Sequence, residues 1–186
     1  MIAVASRAAR VLLDASAFIN FAEGGALFQL AGYLSERAAI TLDVDLEIRR
    51  NSVGRFPALK TLTMLRWPVG EPLSLPPELL ADAEALRRLH ASAGVHERAN
   101  RGEIATALLA GKLGDALVIM DDELGKRLCR TRAVLRLSSA QLAAEMVAAV
   151  VLDDQTGLRV FEVATPNGIG RAEFDHAVDR ARQALG

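Results

Sequence analysis

The sequence predicts an α/β fold built on a mostly parallel central sheet. Short aliphatic runs alternate with segments that are apolar at helical spacing, the pattern of successive βαβ units. Two of these runs, residues 11–13 and 116–120, end directly on acids, Asp14 and then Asp121 with Asp122. A length of 186 residues at 51% hydrophobic composition is enough for one well-filled core.

In chain order, residues 11–13 read as a strand and ASAFINFAE as the helix after it. Gly24 and Gly25 break that helix, and ALFQLAGYLSER resumes with Leu27, Leu30, Ala31 and Leu34 on one face. Residues 38–44 read as a second strand, with Glu47 opening the helix EIRRNSVGR. Residues 51–98 are expected to be a helical and loop insertion holding Pro57, Pro68, Pro72, Pro76 and Pro77. Within it, PPELLADAEALRRLHASAG has proline in the first turn, acids early and bases late, as a helix dipole favours.

Asn100 with Glu103 resembles a capping box before IATALLAGKL, and Gly111 and Gly114 mark its exit. Residues 116–120 form a buried-strand run, DDELGKRLCR a helix and AVLRL another strand, after which Ser138 or Ser139 caps QLAAEMVAAVVL. This predicts a domain over residues 1–152 and an extension over 153–186, the latter with a strand at LRVFEV and a closing amphipathic helix. On that helix Phe174, Ala177, Val178, Ala181 and Leu185 share one stripe, expected to pack on the domain.

A net charge of −1 argues against coating nucleic acid by charge alone and leaves room for local basic patches. The apolar run at 142–152 is too short to span a bilayer and contains Glu145, and Arg7, Arg10 and Asp14 interrupt the first stretch; neither a membrane span nor a secretory signal is expected. Cys129 is alone, and His90, His96 and His176 lack metal-ligand spacing, so a reducing, cytoplasmic setting is the expectation.

The chemistry rests on Asp14, Glu47, Glu103, Asp121 and Asp122. Singly, each has a bland reading as a helix cap or first-turn acid. Together they matter more, because the strands before Asp14 and Asp121 are those that a doubly wound sheet sets side by side at its switch point. Carboxylates gathered there repel one another unless a cation lies among them, and an all-oxygen set suits Mg²⁺ or Mn²⁺. Such a site suits phosphodiester hydrolysis, which needs phosphate charge neutralised and a water activated. Arg49, Arg50, Arg55, Arg98, Arg101, Lys126, Arg127, Arg130 and Arg132 lie near the acids in sequence, where they would offset repulsion of a phosphate chain.

These motifs carry a resemblance. VLLDASAFIN, DVDLEIRRN, NRGEIATALLA and ALVIMDDELGKRLCR, in this order over residues 11 to about 150, resemble the four acidic motifs of the PIN-domain nucleases, and among them the toxin ribonucleases of the VapC type. The resemblance implies a three-layer α/β/α PIN-like sandwich and a metal-dependent endoribonuclease acting on RNA. It further implies an antitoxin protein as possible partner and a homodimer.

Asp14, Glu47 and Glu103 match the first three family acids, and the fourth is Asp121 or Asp122, with spacing from the strand favouring Asp122. The metal would then sit on Asp14, Glu103 and Asp122, Ser16 would hydrogen-bond Asp14, and Asn20 would line the cleft. The competing reading is a non-catalytic PIN-like binding module. A dehalogenase-like phosphatase is disfavoured by Ser16, where a second Asp is wanted, and a Rossmann site by the lack of a glycine-rich turn after the first strand.

Overall fold

The computed structural model describes residues 5–53, 70–90, 100–165 and 170–186. Its strands are β1 (Arg10–Leu13), β2 (Ala38–Ala39), β3 (Ala116–Ile119) and β4 (Leu135–Leu137), hydrogen-bonded in the order β2, β1, β3, β4. All three pairings are parallel, with Leu13 registered against Ile119 and Ile119 against Leu137. The carboxyl ends of β1, β3 and β4 are thereby level along one edge.

Side-chain alternation divides the core in two. Val11, Leu13, Leu117, Ile119 and Leu137 face one way, against α1 (Ala15–Glu23), α2 (Leu27–Leu34), α3 (Leu42–Val53) and α7 (Ser139–Ala148). Leu12, Ala116, Val118 and Met120 face the other, against α4 (Pro77–His90), α5 (Arg101–Leu113) and α6 (Glu123–Thr131). Helices therefore cover both faces of a parallel sheet, as strands buried on both sides require.

Local signals explain most boundaries. Ser138 and Gln141 form a reciprocal capping box that starts α7, the Ser138 side chain accepting from Gln141 N at 3.1 Å. Gly114, at φ 77°, ends α5. Pro77 opens α4. Of the expected insertion, α4 is described, whereas Pro57, Pro68, Trp67, His96, Arg55 and Arg98 lie outside the described residues.

Three expectations are corrected. The strand-like LRVFEV lies inside α8 (Asp154–Ala164), because helical spacing brings Gly157, Val160 and Phe161 together against the core. Its cap is Asp153, which accepts from Thr156 N at 2.9 Å. The run at 38–44 keeps only a two-residue strand: Thr41 accepts from Val44 N at 3.4 Å and α3 already begins at Leu42, which puts Glu47 inside the helix instead of at its opening. Asn100 forms no capping box; it takes a left-handed φ of 64° and makes no side-chain cap bond, leaving Glu103 without that role.

The C-terminal α8 and α9 (Arg171–Leu185) share the first core, where Phe161 and Phe174 meet edge to face at 5.3 Å and Ala177 and Val178 are buried. A methyl added at Gly157 would stand 2.2 Å from Val147 Cγ2 and 3.2 Å from Phe174 Cζ. Gly157→Ala is therefore expected to lower stability by about 1–2 kcal/mol despite better helix propensity, read as a fall in melting temperature. Among the described residues no helix is long and apolar enough to cross a membrane.

One buried carboxylate ties the N-terminal turn into this core. Glu145, 4% exposed on α7, accepts from Ala5 N and Ser6 N, both at 2.9 Å, and from the Tyr33 hydroxyl at 2.6 Å.

Candidate metal centre

The level carboxyl ends of β1 and β3 place the acids. Asp14 follows β1, its amide donating to Ile119 O at 3.0 Å, so the chain after β3 starts beside it. Asp14 is 2% exposed and caps α1; its Oδ2 accepts from the Ser16 hydroxyl at 3.0 Å, as the resemblance implies. Its other oxygen, Oδ1, is buried with no hydrogen-bond partner.

Glu47 and Glu103 reach the same place from α3 and α5, and Gly102 marks how closely. The point where a Gly102 Cβ would sit is 3.2 Å from Glu47 Oε2 and 3.3 Å from Asp14 Oδ1. Glycine at this position lets α5 approach two carboxylates that any side chain would push apart. Glu103 is the next residue, and its Oε2 is likewise buried without a partner. Two orphaned carboxylate oxygens in one place are the feature that calls for an added positive ligand.

The charges register the crowding. Burial first, then Glu47, pushes the Asp14 carboxyl up to about 7, against the hydrogen bonds from Ser16 and Ala15. Burial first, then Asp14, with Glu47 and Asp122 adding to it, pushes Glu103 up to about 8. Glu47 is also raised, chiefly by burial and further by Asp122, while Arg50 opposes the shift. Asp14, Glu47, Glu103 and Asp122 thus sense one another across three helices and two strand ends.

Asp121 and Asp122 separate cleanly. Asp122 caps α6, its Oδ1 accepting from Leu124 N at 2.7 Å and Gly125 N at 3.2 Å. Asp121 turns the other way: its Oδ1 accepts from Ser139 N at 2.9 Å, and its Oδ2 from Asn20 Nδ2 at 2.9 Å and from the Ser139 hydroxyl. Its own amide donates to Ser16 Oγ at 3.3 Å. Asp121 is thus a strut linking α1, β3 and α7, and Asn20 serves the strut instead of an open cleft. Asp121→Asn is expected to cost stability with metal response retained, and Asp122→Asn to weaken that response, read as the Mn²⁺-induced shift in melting temperature.

The sequence marks Gly102 only as part of a motif and Ser139 only as an alternative helix cap, not as residues that shape the site. The Gly-Glu pair in NRGEI was a signal for the first; nothing local gives the second that role. Of the basic residues near the acids, Arg49 is held by Asp45 at 2.7 Å and Lys126 faces Glu123 at 3.4 Å.

The donor set, all carboxylate with two bare buried oxygens, fits a hard divalent cation such as Mg²⁺ or Mn²⁺. As they stand, no three or more His, Cys, Asp or Glu side chains among the described residues are arranged to hold a metal ion, so binding would require the carboxylates to draw inward. Set against known proteins, the chain matches no family model, no curated protein and no solved structure.

Proposed function

We propose that this protein is a divalent-metal-dependent ribonuclease of PIN-like architecture. The observation that carries the proposal is the pair of buried, unpartnered oxygens, Asp14 Oδ1 and Glu103 Oε2, among four mutually repelling carboxylates at the carboxyl edge of a parallel sheet. Asp14, Glu103 and Asp122 would hold the ion. A divalent ion bound there supplies neutralisation of phosphate oxygens and a water acidic enough to attack at neutral pH.

The chain's own residues do the rest. Ser16 fixes the Asp14 rotamer, the α6 amides fix Asp122, and Gly102 keeps space open between α5 and the acids. Glu47, partly exposed and raised from its ordinary value chiefly by burial, would accept the proton of an attacking water.

The test is cleavage of a generic RNA by purified protein. Cleavage with Mn²⁺ or Mg²⁺ that stops on chelation and is lost in Asp14→Asn is the expected result; metal-independent cleavage contradicts the proposal. The second reading, a non-catalytic binding module, is favoured by the lack of a ready-made metal group among the described residues. Absence of both cleavage and a divalent-ion thermal shift would establish it over the first. A small antitoxin and a homodimer are proposed on the resemblance alone, and co-purification with the product of a neighbouring gene and light scattering test them.

A further inference from the structure

A cavity opens beside Asp121, about half of its lining coming from the C-terminal helices that the PIN resemblance leaves out. It has a volume of about 440 Å³, within the range of small-ligand sites, and is lined by Asp121, Lys126, Arg136, Phe161, His176 and Arg180. His176 and Arg180 are four residues apart on α9 and face the cavity together. Phe161 and neighbouring alanines from α7, α8 and α9 give it an apolar floor.

The cavity sets Lys126, Arg136 and Arg180 against two carboxylates, Asp121 and Glu173, and Lys126 also faces Glu123 at 3.4 Å across an exposed pair. The two acids keep their charge but are tied back by neutral donors, Asp121 by Asn20 and Ser139, and Glu173 by the Gly170 amide at 3.1 Å. Arg136 donates one nitrogen to Met120 O at 2.7 Å, and among the described residues neither Arg136 nor Arg180 makes an ion pair with a carboxylate. Cationic donors over an apolar floor match a phosphate attached to a flat base and sugar. Along the chain the cavity wall leads to the acids: Asp121 is followed by Asp122, and Lys126 lies one turn along the helix that Asp122 caps.

We propose that this cavity seats one phosphorylated nucleotide of the RNA strand, next to the bond being cut. The inference rests on the nuclease reading for its substrate, but it concerns binding and is testable without catalysis. Arg180 and Lys126 hold the phosphate, and the Phe161 floor receives the apolar face of the nucleotide.

The experiment is fluorescence polarisation of a short labelled single-stranded RNA, in chelator, with the otherwise complete protein carrying Asp14→Asn. Arg180→Ala and Lys126→Ala, added singly, are expected to weaken binding about three- to tenfold and to flatten the salt dependence by about 0.7 in slope each. Arg88→Ala, on α4 and paired with Glu84, is the control and leaves binding unchanged. Circular dichroism verifies that each variant is folded.

Wild-type affinity in both cavity variants overturns the inference while leaving cleavage by the parent protein, and hence the nuclease reading, intact. Cavity-dependent RNA binding in a protein that never cleaves leaves the cavity assignment standing and sinks the nuclease. Cavity-dependent binding of adenosine monophosphate or inorganic phosphate, with no effect on RNA, marks a small-molecule site and overturns the assignment to the strand.

Discussion

Asp14→Asn is expected to abolish RNA cleavage and, in the same protein without metal, to raise stability at pH 8. The opposed signs follow from one cause. Asp14 is buried beside Glu47, which lifts its carboxyl from 3.8 to about 7. A carboxyl raised on folding contributes most below its unfolded value; stability then falls as the pH climbs through the window from 3.8 to about 7 and stays low above it. The full difference is on the order of a few kcal/mol at pH 8.

Asparagine removes that charge and keeps an oxygen to accept from Ser16, so the α1 cap survives. A gain of roughly 5 °C in melting temperature with chelator at pH 8 is expected, shrinking toward zero as pH approaches 3.8. Cleavage should fall at least about a hundredfold, several kcal/mol of lost charge stabilisation. A variant that is both inactive and less stable at pH 8 would mean that Asp14 is a structural cap only. Because Glu103 is lifted to about 8 in the same cluster, wild-type activity should rise with pH through the range from about 7 to about 8 as the ligands shed their protons.

The second large effect concerns Glu145. Its two oxygens receive three donors, Ala5 N, Ser6 N and the Tyr33 hydroxyl, under the N-terminal turn. Glu145→Ala strands two main-chain amides and the phenol, the Ala5 amide fully buried and the other two partly so. The expected loss is about 3–5 kcal/mol, near 10 °C in melting temperature or more for a chain of this size. Glu145→Gln should fall between, since its amide nitrogen faces donors where an acceptor is needed. Tyr33→Phe removes one donor and should cost about 1 kcal/mol. Urea denaturation of the three variants orders them, and an Ala variant within 1 kcal/mol of wild type would show that the N-terminal turn is not held by this carboxylate.

How much of this was readable in the chain depended on whether the signal was local. β1, β3 and α4 to α7 announced themselves through aliphatic runs, proline and glycine punctuation and the Ser138 cap. Asp14, Glu103 and Asp122 were readable because each sits next to such an element, whereas Glu47, expected at a helix opening, lies inside α3. What escaped was decided by distant partners. Leu158 to Val163 carries strong β propensity, but α8 forms because Gly157 can lie against Val147 and Phe174. Asp121 and Asp122 are neighbours in sequence; the contacts that divide their roles come from Ser139 and Asn20, 18 and 101 positions away. Glu145 reads locally as a charge interrupting an apolar helix, whereas its partners Ala5 and Ser6 lie 140 and 139 residues earlier.

Asp14, Glu103 and Asp122, with Glu47 beside them, are proposed to share one divalent cation. Anomalous diffraction from crystals grown with manganese tests this most directly. The predicted result is a manganese peak with Asp14 Oδ1 and Glu103 Oε2 drawn to within roughly 2.2 Å of it. No peak between these carboxylates, or a peak bound only elsewhere on the protein, would contradict the account.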